Sequence, residues 1–285
     1  MKKLLLSVIA VIVTVAELGT STYAWFTLSN KASVGQFNAQ VSSGDGIEVS
    51  LNQTNWYTDI PTTIIEDFID LTDFNRFSDV TTLNGSTFTK YTSGTVTTED
   101  YIQFTLYFRS ESETDIYWTG ASLSGTTINW TSDADFVNTV GDNVIAGTED
   151  IVIDPSNALR VSIQAGSVFH VYEKGEVNGN TVLGTKPSSI NGAISYYNAK
   201  NVQNPILLPG TDVAIASFQE FVNVGANEVD SNRELITLTQ SGVTGFYTGS
   251  VIVRVWIEGW DQDTFNAVLN GQVFVGLNFK GVPVV

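Results

Sequence analysis

The sequence predicts an all-β protein, an antiparallel β-sandwich or jelly roll with one or two short helices and an N-terminal signal helix. Three observations carry this expectation. Several segments alternate apolar and polar residues with period two, the mark of a strand with one buried face. Clusters of Gly, Asn, Asp and Ser separate those segments, as turns between short strands do. Charged residues make up only 15% of the chain, while Thr, Ser, Asn and Gly are abundant, which disfavours a helical bundle.

The N-terminus is read first. Met1, Lys2 and Lys3 precede the mainly apolar run Leu4 to Ala16, and Thr20 to Ala24 follow. A positive start, an apolar run and small residues make a secretory signal. Thr22 and Ala24 then stand three and one residues before the cut. The run is shorter than the about 20 residues that a membrane span needs. A retained anchor or pilin-like core helix is the alternative, and only such an uncleaved leader would bring the chain to a membrane. The expected organisation is a signal peptide over 1–24 and one β domain over 25–285.

Within that domain the alternation is explicit. Ile102, Phe104, Leu106 and Phe108 face one way and Tyr101, Gln103, Thr105, Tyr107 and Arg109 the other. Leu159, Val161 and Ile163 alternate with Arg160, Ser162 and Gln164. The same holds for Val251, Val253, Val255 and Ile257, and for Val273, Val275, Leu277 and Phe279. Gly44-Asp45-Gly46, Asn84-Gly85-Ser86, Asn178-Gly179-Asn180 and Asn191-Gly192 supply turns. Pro61 to Asp70 sets Ile64, Ile65, Phe68 and Ile69 on one helical face. Asp263 offers to cap a second short helix ending at Gly271. Mixed periodicity over 54–98 marks the expected place of an insertion.

Two stretches carry a resemblance. Gly19-Thr20-Ser21-Thr22-Tyr23-Ala24-Trp25-Phe26-Thr27 resembles the end of the leader in the TasA/camelysin-like exported proteins of Firmicutes, which a dedicated signal peptidase processes. Their Tyr-Ala-aromatic-Phe core is intact here, with Ser-Thr inserted before Tyr23. Val255-Trp256-Ile257-Glu258-Gly259-Trp260-Asp261-Gln262-Asp263, followed by Asn266-Ala267, is similar to a C-terminal motif of exported Firmicutes proteins with this leader type. The resemblance implies a secreted protein of the extracellular matrix or cell surface, a signal peptidase as partner during export, and subunits that build biofilm-matrix fibres.

Composition narrows the chemistry. Thirty acidic against 13 basic residues give a charge of -17, which repels phosphate backbones and makes nucleic acid a poor partner. No cysteine is present, so disulfides, thiolate zinc sites and cysteine nucleophiles are excluded. The one histidine, His170, is a candidate general base or single metal ligand, or else an ordinary strand position. Camelysin-type relatives are described as metallopeptidases, but there is no His-Glu-x-x-His here and one histidine cannot make a two-histidine zinc site. The chain shows neither a nucleophile elbow nor a phosphate loop. The pairs Glu66/Asp67, Glu99/Asp100 and Asp261/Asp263 are the carboxylates a glycosidase would need, but so acidic a chain holds such pairs by chance. No enzyme and no resident cofactor is expected.

Calcium is the candidate ion, with Asp261, Asp263 and Asn266 as its oxygen donors and Asp133, Asp135, Asp142 and Asn143 as a second acidic stretch. Helix capping and solvated turns are the competing reading. Trp256 and Trp260 are candidates for an interface, a glycan contact or a core. The expected function is self-assembly. Trp25, Phe26 and Leu28 form an apolar tip behind the cut, and a strand within Trp25 to Leu51 could add to the sheet edge of another copy. Head-to-tail addition of this kind generates a filament. The alternative is a monomeric surface adhesin or glycan-binding sandwich.

Overall fold

The computed structural model describes residues 34–41, 46–70, 77, 79–82, 87–90, 95–174, 192–203, 205, 233–242, 245–259, 261, 263, 265, 267–268 and 271–284. The leader, with Thr22, Ala24, Trp25, Phe26 and Leu28, lies outside the described residues, as do Trp260 and Asn266. The chain is all-β with two helices among the described residues. It begins β1 (Val34–Val41), β2 (Ile47–Ser50), α1 (Thr62–Asp70), β3 (Asp79–Thr82), β4 (Phe88–Lys90), β5 (Val96–Thr97), β6 (Ile102–Ser110) and β7 (Thr114–Gly125). Short strands β8 (Ile128–Trp130), β9 (Phe136–Val137), β10 (Asn143–Val144) and β11 (Ile151–Ile153) follow. A 3-10 turn over Pro155–Ala158 leads to β12 (Leu159–Ala165), β13 (Val168–Glu173) and α2 (Ala193–Lys200). The chain closes with β14 (Glu234–Thr237), β15 (Thr239–Gln240), β16 (Tyr247–Glu258) and β17 (Val273–Pro283).

Two sheets dominate. The first has the order β1-β17-β7-β14, antiparallel except for the parallel pair β1/β17. The second is built on β16, whose length gives it two partners along each edge. Along one edge it pairs with β15 and then β12, and along the other with β6 and then β3. β13 extends the sheet beyond β12, β2 beyond β6, and β4 and β5 beyond β3. The expected insertion region thus contributes α1, β3, β4 and β5.

The alternation seen in the sequence sets which face is buried. Phe104, Leu106 and Phe108 of β6 share one apolar cluster with Val161 of β12, Val253 of β16, Trp118 of β7 and Leu277 of β17. Residues of both sheets therefore meet in a common core, and each fully buried side chain contributes about 1.5–3 kcal/mol. Phe108 of the second sheet meets Phe279 of the first edge-to-face at 5.1 Å. Strand β7 changes phase: Ile116 and Trp118 point inward, then Ala121 and Leu123. A bulge opposite Asn278/Phe279 causes the shift, and the Trp118 indole donates to the Gly120 carbonyl at 2.9 Å across it.

A second, smaller cluster lies on the other face of the β16 sheet. It joins Val80, Phe88, Tyr101, Val171 and Trp256. Phe88 stacks on Tyr101 at 4.0 Å and meets Trp256 edge-to-face at 5.3 Å. The face that alternation marks as polar is closed here.

The helices depart from expectation in part. In α1, Ile65 and Ile69 are buried and Phe68 meets Phe104 at 6.5 Å, but Ile64 is exposed. After β16 the stretch expected to form the second short helix is described at residues 263, 265, 267–268 and 271, where Ala267 and Val268 lie in a 3-10 turn, Val268 N–H donates to Phe265 O and Gly271 N–H to Val268 O. Asp261 Oδ1 accepts the Asp263 N–H at 2.9 Å at the start of this stretch. Among the described residues no helix is long and apolar enough to cross a membrane.

Candidate functional site

β1 falls within the stretch Trp25 to Leu51 that was expected to supply a donated strand, and it pairs with β17 at one end of the first sheet. β17 is paired with β7 from Val273 to Pro283 on one side. On its other side, among the described residues, it carries β1, in register from Val34↔Val273 through Phe37↔Val275 to Val41↔Phe279, with an irregularity between Val34 and Phe37. Among the described strands these are the first and the last, so no hairpin dictates their pairing. Residues 42–46, reading Ser-Ser-Gly-Asp-Gly, lead from β1 into β2 of the other sheet. Gly46 sits at φ 66°, in the left-handed region that favours glycine. Removing β1 would uncover a row of backbone N–H and C=O groups above the buried Val273, Val275, Leu277 and Phe279.

The densest charge cluster is internal. Arg160 of β12 is fully buried, with Nε 2.6 Å from Glu173 Oε2 and Nη2 2.6 Å from Asp261 Oδ2. Its Nη1 donates to the carbonyls of Asn157 and Leu159 at 3.2 and 3.1 Å. Register explains the meeting, since Arg160 lies opposite Glu173 on one neighbour and Trp256 on the other. Burial pulls the guanidinium down, but the carboxylates of Glu173, Asp261 and Glu258 outweigh it and hold Arg160 above its ordinary value. Glu258 also accepts the Trp256 indole N–H at 3.1 Å. Such a buried, charge-compensated group fastens three segments.

Of the oxygen donors named for calcium, Asp261 and Asp263 are described and Asn266 is not. Asp261 Oδ2 is committed to Arg160 and Oδ1 to the Asp263 N–H, so the cation beside Asp261 is a guanidinium. In the second acidic stretch, Asp133 accepts from Lys200 Nζ at 2.6 Å and Tyr196 Oη at 2.8 Å. Asp135 accepts the Ala146 N–H at 2.7 Å. Among the described residues no three His, Asp or Glu side chains come together to hold a metal ion.

The remaining candidates fall as follows. His170 is a buried strand residue of β13 opposite Ile163. Trp256 takes the core alternative and is fully buried, which removes it from any outer interface of this chain. Asp100 is buried and pairs with Lys90 at 3.1 Å, while Glu66 and Asp67 ride on α1. Sequence reasoning missed Arg160 as an organising residue. The available signal was an arginine inside Leu159 to Ala165, an otherwise weakly polar strand.

Comparison with protein-family models, with curated proteins and with solved structures gives no match to this chain.

Proposed function

We propose that this chain is an exported structural protein, a β-sandwich of jelly-roll type without catalytic duty. Copies assemble into extracellular or cell-surface filaments by passing the N-terminal strand to a neighbour. The observation that carries the reading is β1: an edge strand, parallel to β17, paired on one side only among the described residues. Its pairing is not set by a local connection, because β1 and β17 stand at opposite ends of the described strands. The same ladder can therefore form between copies with no loss of hydrogen bonds, which is the thermodynamic basis of strand exchange. The Ser-Ser-Gly-Asp-Gly segment after β1 is short and unhindered in composition, as a hinge for exchange should be. The leader residues Tyr23-Ala24-Trp25-Phe26 and the apolar tip Trp25, Phe26 and Leu28 support the export and the exposed start.

The test uses the absence of native cysteine. Gln40 and Asn278 are register partners across β1 and β17, so the double variant Gln40→Cys/Asn278→Cys reports which copy supplies β1. The expected result is filaments by negative-stain microscopy that resolve into a ladder of disulfide-linked oligomers on a non-reducing gel. Dispersed particles holding only internal disulfides, unchanged when Trp25 to Leu28 are deleted, would overturn the proposal.

A further inference from the structure

The second sheet carries a groove unrelated to the β1 edge. It has a volume of about 620 Å³ and lies where the β15–β16 hairpin and the segment after β2 rise beside β6. That size is in the range of small-molecule sites. Arg109, on the face of β6 opposite Phe108, lines it. The Arg109 guanidinium carbon is 4.6 Å from the ring centroid of Trp56 and 4.6 Å from that of Phe246. Two aromatic faces thus hold one guanidinium, an arrangement that fixes its plane. Arg109 Nε donates to Glu48 Oε2 at 2.6 Å, and the side chain keeps 25% of its surface open. Among the described residues Nη1 and Nη2 find no acceptor, so four N–H donors of a pre-oriented fork remain.

The rest of the lining matches a sugar. Gln53, Thr248 and Ser250 supply amide and hydroxyl groups that can both donate and accept, and Trp56, one of whose faces carries the guanidinium, adds aromatic surface to the lining. A saccharide presents just such a mixture of hydroxyls and apolar ring patches. The fork adds a charge requirement, because the two terminal nitrogens of an arginine suit a carboxylate bidentately. On a protein of charge -17 the Arg109 guanidinium, paired to Glu48 through Nε alone, offsets part of the negative field at the groove.

We infer that this groove binds a carboxylate-bearing saccharide, of the uronic-acid class, with Arg109 clamping the carboxylate and Trp56 packing on the sugar ring. The inference goes beyond strand-exchange assembly and does not depend on it, since the groove is complete within one copy.

Isothermal titration of the purified chain with tetragalacturonate, and with its methyl ester, tests this directly. The ester keeps the sugar rings and hydroxyls, and replaces the charge of each carboxylate with a methyl group. Removing a charge-assisted hydrogen bond is expected to weaken binding about tenfold or more, so the ester binds correspondingly worse than the acid. Arg109→Gln lowers affinity for the acid by the same factor and leaves that for the ester unchanged. Ser250→Trp, placed at an exposed groove position, fills the space and abolishes both while circular dichroism shows the fold intact. Equal binding of acid and ester, full binding by Arg109→Gln, or no acid binding at millimolar concentration overturns the inference. Each readout is the same for monomer and filament, so failure here leaves the assembly proposal standing, and the reverse.

Discussion

Arg160 Nη2 lies 2.6 Å from Asp261 Oδ2, and both side chains are wholly closed to water. With Glu173 on its Nε, the same guanidinium ties β12 to β13 and to the turn that follows β16. The pair sits on the face of the sheet that also carries Trp256, beyond the reach of solvent. Its strength as a fastener follows from its isolation, since a buried charge that loses its partner has no water to turn to.

Asp261→Ala is therefore expected to destabilise the chain by about 3–5 kcal/mol, because it leaves the Arg160 guanidinium buried with one carboxylate fewer. Urea unfolding, read as a shift in midpoint at constant slope, measures the loss. Added calcium should not restore it, since the site is already filled by a cation of the protein itself. A loss below about 0.5 kcal/mol, the size of an ordinary surface substitution, would show that the cluster is not a fastener.

The long strands were legible because one face of each is apolar and the other is not. β6 keeps that alternation over Ile102 to Ser110, and the odd positions of β16 from Val251 to Ile257 read the same way. β7 was illegible because its bulge shifts the phase between Trp118 and Ala121. The polar-looking faces of β12 and β16 misled for another reason. Phe88 and Tyr101, far away in sequence, cluster with Trp256, and Glu173 and Asp261 come from other segments to Arg160, contacts that no local pattern records. Helix α2 has no apolar stripe to announce it. It is held by Tyr196, whose ring meets Trp130 at 5.1 Å and Phe136 at 5.6 Å, and by the Lys200–Asp133 pair. The groove follows the same logic. Arg109 was on the correct outward face, but Trp56 and Phe246 reach it from two distant loops.

Acid sensitivity should centre partly on Asp154. Burial acts upward on its carboxyl, but hydrogen bonds from Lys174 and Ser156, with the Lys174 charge, outweigh it and lower the group below its ordinary value of 3.8. The folded state thus releases this proton more readily than the unfolded state. The contribution is fully present above the unfolded value, and it is lost as pH falls through the depressed folded value. Asp154→Asn should flatten the acid limb of a stability-against-pH curve below 3.8 relative to the parent chain, with little change in slope above it. Unfolding by urea at a series of pH values checks this. Parallel acid limbs for the two proteins would be the contrary result.

Pro155 occupies a slot that two glycines leave open. A Cβ on Gly271 would stand 2.5 Å from Pro155 Cγ and one on Gly125 2.8 Å from the same atom. The ring cannot swing aside as a long side chain would, so Gly271 is small here for want of space, not for want of a helix end. Gly271→Ala should cost about 1–3 kcal/mol, the usual toll of overpacking. Adding Pro155→Ala should return part of that loss, which thermal unfolding of the single and double variants would reveal as non-additivity. Strictly additive effects would mean that the two positions do not compete for the same volume.

Phe108 and Phe279 carry the contact between sheets to the β1/β17 edge, because Phe279 is also the register partner of Val41 at the end of β1. Their edge-to-face geometry predicts a coupling of about 0.5–1.5 kcal/mol beyond the area each ring buries. A double-mutant cycle with Phe108→Leu and Phe279→Leu isolates that energy from the cavity each change creates. The two single variants should then differ in a second property. Phe279→Leu loosens the strand on which β1 rests and should speed exchange of the β1 amide protons, whereas Phe108→Leu, one sheet away, should do so less. Hydrogen exchange of Val34 to Val41 in both variants distinguishes an edge that depends on the core beneath it from one held by its backbone ladder alone. Equal exchange in the two would assign β1 to the ladder and separate strand release from core packing.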